Sequence, residues 1–232
     1  MSPRREPVSR RDRPAKPPLS RAGAVAVALR IMREEGLERL TMRRLATELD
    51  TGPASLYVYV RNTAELHGAI LDELLADLTL PPPDPARWRD QLVELMTAYT
   101  RLLIAWPSLA RSVLALRPSG PHYVRLIETL LGLLRAGGVP VGQAAWGVDL
   151  LLQLGTATAA EQGTRGEAAD ADDEHRMLVT ELREASEQEF PHIAQARDEL
   201  FSGTGEQRLA WAFNVLVEGV QGVPALPNHR AS

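Results

Sequence analysis

Thr41–Asn62, TMRRLATELDTGPASLYVYVRN, decides how the chain is read. Met42, Leu45, Ala46 and Leu49 recur at i, i+3, i+4 and i+7, which is one apolar face of a short helix. Thr41 supplies a hydroxyl suited to capping its N-terminus. Asp50-Thr51-Gly52-Pro53 then punctuates the chain: Gly52 tolerates a left-handed backbone, and Pro53 suits the first turn of a following helix. Leu56 and Val60, at i and i+4, predict a second short helix from Pro53 to Val60. Two short helices around a tight Gly-containing turn predict a helix-turn-helix, whose second helix enters the major groove of DNA.

Outward from this stretch the helical pattern continues. Ser20 can cap a first helix to Glu35, with Val25, Ala28, Leu29 and Met32 on one face and Gly36 as its stop. Asn62, with Glu65 three residues on, opens a capping box for a helix from Thr63 to Leu78. Pro81-Pro82-Pro83-Asp84-Pro85 marks a boundary. Beyond it helices are predicted over 87–106, 107–116, 122–136, 141–162, 174–189 and 206–220, with a polar loop over 163–173 and a short turn over 193–200. No period-2 strand and no internal repeat interrupts this series, so the fold class is all-α.

Leu40-Thr41-Met42-Arg43-Arg44-Leu45-Ala46, Ser55-Leu56-Tyr57 and Tyr59-Val60-Arg61-Asn62 together resemble the DNA-binding domain of the tetracycline-repressor (TetR/AcrR-like) family. The likeness covers roughly Leu19 to Leu78. It departs from the family pattern at Asp50, where Gly is usual, at Thr51, where an aliphatic residue is usual, and at Thr63, where a phosphate-binding Lys is usual. The resemblance implies DNA contacts from Thr41, Arg43, Arg44, Thr51, Ser55, Tyr57, Tyr59, Arg61 and Asn62. Leu56 reads instead as core, locking the second helix onto the first. The implied organisation is a disordered basic arm over 1–18, a DNA-binding domain over 19–80, and a helical ligand-binding and dimerisation domain over 81–232.

Charge supports that division. The net charge of −4 splits unevenly: residues 1–63 carry 13 Lys+Arg against 7 Asp+Glu, and the remainder 13 against 23. A basic end on an acidic body suits a protein that meets DNA at one end. Arg4, Arg5, Arg10, Arg11, Arg13 and Lys16 supply much of the excess, either as an inert tail or as an arm against phosphates or the minor groove.

The body also resembles the family's regulatory domain, in which two long helices form a homodimer's four-helix interface. The helix from Val141 is almost uncharged apart from Asp149 and Glu161. Its Gly147, Gly155, Ala157, Ala159 and Ala160 would permit close approach of a second copy. The family's regulatory helices enclose a cavity for a small, largely apolar effector. Tyr99, Leu103, Trp106, Tyr123, Trp146, Gln153 and Met177 are the candidates to line one. Thr79 stands where the resemblance would put a His of a tetracycline–magnesium site, so tetracycline is not favoured.

Other chemistries find little footing. No cysteine is present, which excludes disulfides, thiolate metal sites and cysteine nucleophiles and fits a cytoplasmic protein. No apolar run reaches the ~18 residues of a membrane span. Ala22–Leu29 after a basic start only faintly imitates a secretory signal, because charged residues follow at once. The five histidines are dispersed, and Asp170–His175 reads as a solvated loop because it lacks the Gly and Glu of an EF-hand. No P-loop, G-x-S-x-G, H-E-x-x-H or G-x-G-x-x-G motif occurs, so neither catalysis nor a cofactor or metal is expected. The expectation is a homodimeric, ligand-responsive DNA-binding regulator, with a small-molecule effector and a double-stranded operator as partners and no membrane. The alternative is a helical protein–protein interaction module whose head does not bind DNA.

Overall fold

The structure is a computed structural model that describes residues 19–116, 118–167 and 170–225. The basic arm expected over 1–18 lies outside the described residues. Every regular element among them is helical, and they divide into two compact units between Arg61 and Asn62.

The first unit holds helices α1 (Arg21–Glu35), α2 (Met42–Glu48) and α3 (Pro53–Leu56). Ser20 caps α1 by accepting from the Gly23 N–H at 3.1 Å, and Gly36, at φ 91°, ends it. Ala24, Val25, Ala28, Ile31 and Met32 form its buried face. Thr41 caps α2 by accepting from the Arg44 N–H at 3.0 Å, and Met42, Leu45 and Ala46 are buried below it.

The turn differs from its sequence reading. The left-handed residue is Asp50, at φ 49°, while Gly52 sits at an extended φ of −77°. The Thr51 N–H reaches back to the Ala46 carbonyl at 2.9 Å, and that of Asp50 to Thr47 at 3.0 Å. These two bonds make a Schellman ending for α2, with Asp50 in the position usually given to Gly. Asp tolerates the left-handed region better than most side chains, which is why the substitution is accommodated. Helix α3 stops at Leu56 rather than Val60. Residues 57–59 continue as turns, with the Tyr59 and Val60 N–H groups both on the Leu56 carbonyl. Leu56 and Val60 are both fully buried, so the i, i+4 signal reported burial correctly while overstating helix length.

The second unit contains α4 (Thr63–Leu75), α5 (Trp88–Ile104), α6 (Pro107–Leu114), α7 (Pro121–Ala136), α8 (Val141–Glu167), α9 (Ala171–Glu184), the short α10 (Pro191–Gln195) and α11 (Gly205–Gly222). Helix α4, which the sequence reading gives to the DNA-binding domain, packs here against α6 and α7. Helix α8 is the centre, packed against α5, α6, α7 and α11. Leu92, Leu95, Met96, Tyr99 and Leu103 form the buried stripe of α5, in the register the sequence predicts.

Two expectations for α8 are corrected. It runs to Glu167, and α9 begins at Ala171, so most of the predicted 163–173 loop is helical and Asp170–His175 opens α9. Its small residues mostly serve packing within the chain. A Cβ on Gly147 would meet Val220 at 2.8 Å, one on Gly155 would meet Thr100 at 2.8 Å, and Ala159 and Ala160 are buried. Only Ala157 of that group is exposed.

Candidate nucleic-acid interface and effector cavity

The predicted DNA-contacting residues divide by what their side chains already do. Thr41, Arg43, Ser55, Tyr57, Arg61 and Asn62 are exposed, while Thr51 and Tyr59 are half-buried. The Arg43 guanidinium has no ion pair or hydrogen bond to any described residue and so is available to a phosphate or a base edge. Tyr57 is 48% exposed, and Val58 beside it is 79% exposed. Val58 was not singled out from sequence, although two positions after Leu56 it falls off the buried Leu56–Val60 face.

Arg44 is held differently. Its guanidinium bonds Glu35 on α1 at 2.7 Å and also Glu48 on its own helix, and Arg30 of α1 joins the same Glu48. The Glu48 bond, followed by that of Glu35, raises the Arg44 pKa; Arg44 and then Arg30 lower that of Glu48. This network fastens α2 to α1. A phosphate reaching Arg44 would compete with two carboxylates. Asn62 is also engaged, since its side-chain carbonyl accepts from the Glu65 N–H at 2.8 Å and caps α4.

In the body, a cavity of about 520 Å³ opens between α5, the end of α6, α7 and α8. Tyr99, Tyr123 and Gln153 line it as predicted, together with Val113, Leu114, Leu116, Pro118, Asp149, Leu152 and Thr156. The other predicted candidates stand elsewhere. Leu103 is buried core, Trp106 precedes α6 half-buried and off the cavity wall, and Trp146 and Met177 are 52% and 64% exposed. The α6 residues were missed because their periodicity is that of any core helix. The break at 118–121, where α6 gives way to α7, was the available signal.

The cavity's polar groups are specific. The Tyr99 hydroxyl shares a 2.8 Å hydrogen bond with Thr156 Oγ1, and burial pushes this phenol up. Burial, and then the charge of Asp149, likewise raises the Tyr123 phenol. Gln153 Nε2 donates to Asp149 Oδ2 at 2.8 Å. A larger cavity, about 890 Å³, lies between α8, α9 and α11 and is lined by Arg165, Arg176, Arg183 and Arg208. None of the predicted residues lines it.

Helix α4 is gripped by the elements that wall the smaller cavity. Asp72, buried on α4, accepts from the Tyr123 N–H at 2.8 Å and from His122 Nδ1 at 3.2 Å. It thereby caps α7 from another helix, and Gly120 is required there because a Cβ would lie 2.2 Å from the carboxylate carbon. His67, also on α4, lies 2.7 Å from Ser112 Oγ of α6. Desolvation lowers the pKa of that imidazole.

Two adjacent helices carry an exposed apolar face. On α8 it includes Trp146 and Leu150, and on α11 Trp211 and Val215, each pair spaced i, i+4. Among the described residues no helix is long and apolar enough to cross a membrane, and no group of three His, Asp or Glu is placed to hold a metal.

A helix-turn-helix head and an all-helical body with an open cavity between α5, α6, α7 and α8 make the architecture of a ligand-responsive DNA-binding regulator. Residues 24–70 match the family model described as "Bacterial regulatory proteins, tetR family", and residues 80–223 match "Tetracyclin repressor-like, C-terminal domain". The chain belongs to the tetracycline-repressor family of transcriptional regulators, which bind operator DNA as dimers and respond to small-molecule effectors. It is similar to the solved structure of the transcription regulator SCO7704 from Streptomyces coelicolor, at 51% identity and a TM-score of 0.77, over 92% of this chain and 100% of that one. It is also similar to ActR of Streptomyces coelicolor in complex with actinorhodin, at 34% identity and a TM-score of 0.77, over 88% and 96% of the two chains. A helix-turn-helix transcriptional regulator of Saccharopolyspora erythraea is 29% identical over 53% of this chain, a match that spans about half, 52%, of that relative's length.

Proposed function

We propose that this regulator is a repressor that leaves its operator when a small, largely apolar effector enters the cavity between α5, α6, α7 and α8. The observation that carries the switch is the double role of Tyr123. Its side chain lines the cavity, while its backbone N–H is held by Asp72 of α4. Helix α4 starts at Thr63, two residues after the head's last residue, Arg61. An effector that shifts Tyr123 therefore acts, through one hydrogen bond, on the helix from which the head is suspended. Only a difference in effector affinity between the DNA-bound and free arrangements can drive release.

Arg43, Tyr57 and Ser55 are the leading contacts of the reading surface, with Thr41, Thr51, Tyr59, Arg61 and Asn62 positioning it against phosphates and Arg44 bracing α2 on α1. The exposed face of Trp146, Leu150, Trp211 and Val215 is the homodimer contact. That the ActR structure holds actinorhodin supports an effector of comparable role here. Operator control confines the protein's action to the cytoplasm, and the body works by binding rather than by catalysis.

A compound found by its rise in melting temperature, then tested by gel shift on DNA flanking the protein's own gene, examines this reading. Binding stabilises the folded state, and the same compound should weaken DNA binding by about 1–3 kcal/mol. Asp72→Asn, which keeps an acceptor for the Tyr123 N–H, should preserve that coupling. Asp72→Ala should reduce it while DNA and compound each still bind. Stabilisation with unchanged DNA affinity would refute the switch.

A further inference from the structure

The effector cavity carries a charge that an apolar effector does not explain. Asp149 is the only charged residue of α8 before Glu161 and lies on the cavity wall. Among the described residues, which leave out Arg117, no Lys, Arg or His lines that wall. Gln153 occupies one carboxylate oxygen, Oδ2, and no hydrogen bond or ion pair to a described residue engages Oδ1. Beside Asp149 stands Tyr123, a phenol whose pKa is raised by burial and then by that carboxylate. The α6 part of the wall is apolar, with Val113 and Leu114.

Resting on the effector reading above, we infer that the molecule this cavity takes is a cationic amphiphile: an aromatic or alicyclic amine whose ammonium meets Asp149 and whose hydrocarbon body meets α6. Three physical reasons converge. A neutral ligand seated here strips water from the carboxylate and returns nothing for it. An anion adds like-charge repulsion to that loss. An ammonium repays the desolvation with a charge-assisted hydrogen bond to Oδ1. Asp149 itself is exposed on the protein surface, so the attraction is partly screened and the selectivity is modest rather than absolute. In the larger cavity Arg165 and Arg176 are paired with Glu161 and Asp173, but Arg183 and Arg208 have no ion pair to a described residue, which disfavours the same amine there.

The test uses two fluorescent probes of one shape, 1-naphthylmethylamine and 1-naphthylmethanol, titrated into the full-length protein. The amine should bind about tenfold more tightly than the alcohol. Asp149→Asn should bring the two within about twofold by weakening the amine alone, and Asp149→Glu should restore the preference. The melting temperature of each variant checks that the fold is intact. Equal binding of amine and alcohol to the unmodified protein, a preference that survives Asp149→Asn, or no binding of the amine at millimolar concentration overturns the inference. A gel shift separates it from the underlying reading: if both probes bind equally and both release DNA, the effector switch stands and the cation selectivity falls.

Discussion

Replacing Trp211 with alanine should separate the homodimer into folded monomers. Trp211 is 68% exposed on α11, next to Val215 at 49%, and the adjacent α8 exposes Trp146 at 52% and Leu150 at 45%. An aromatic side chain buries about 150–250 Å² when fully covered. Two-thirds of that for Trp211 is roughly 150 Å², or about 4 kcal/mol at ~25 cal/mol per Å². Area overstates binding energy, because ordering and imperfect fit consume part of it. About 2 kcal/mol per truncated aromatic anchor is the safer figure. A two-fold interface contains every contact twice, so the substitution costs about 4 kcal/mol per dimer. That raises the dimer dissociation constant roughly 1,000-fold. Sedimentation at micromolar concentration reads the change directly. Val124, 60% exposed on α7 and on neither α8 nor α11, supplies the control, and Val124→Glu should leave the dimer intact. A Trp211→Ala protein that dimerises as tightly as the unmodified chain refutes the assignment of this face.

Two further outcomes follow from the head and from α4. Arg43→Ala and Tyr57→Phe should each weaken operator binding by about 1–3 kcal/mol without changing the melting temperature; wild-type binding by both in a gel shift would misplace the reading surface. Stability should fall as the pH drops below about 6.5, because His67, with its pKa lowered in the folded state, resists a proton that the unfolded chain accepts. Its contribution is complete above the unfolded value and is lost towards the folded one. Denaturant titrations of His67→Gln should therefore show a smaller loss between pH 7 and 5 than the unmodified protein, and equal losses would remove His67 from the account.

The local signals in the chain were sufficient for the caps and the buried faces of the head, though not for its turn or the length of α3. Thr41 and Asn62 cap the helices that their positions predict, and the i, i+3, i+4 spacing of Met42, Leu45 and Ala46 is the buried face of α2. Caps and periodicity act over three or four residues, so a linear sequence carries them whole. The same holds for the all-helical character of the body, whereas Tyr99 and Tyr123 come forward as cavity residues only through the family resemblance.

What depended on residues far apart in the chain was decided only by folding. Sequence made Gly155 and Gly147 look like an opening for a second copy, yet Thr100 and Val220, brought in by α5 and α11, occupy those openings. Arg44 became a brace because Glu35 of α1 is carried within 2.7 Å of it. Asp72 and Tyr123 are 51 residues apart, and nothing in either local sequence announces that one caps the other. A carboxylate finds its partner by the path of the whole chain; a helix finds its beginning in the next four residues.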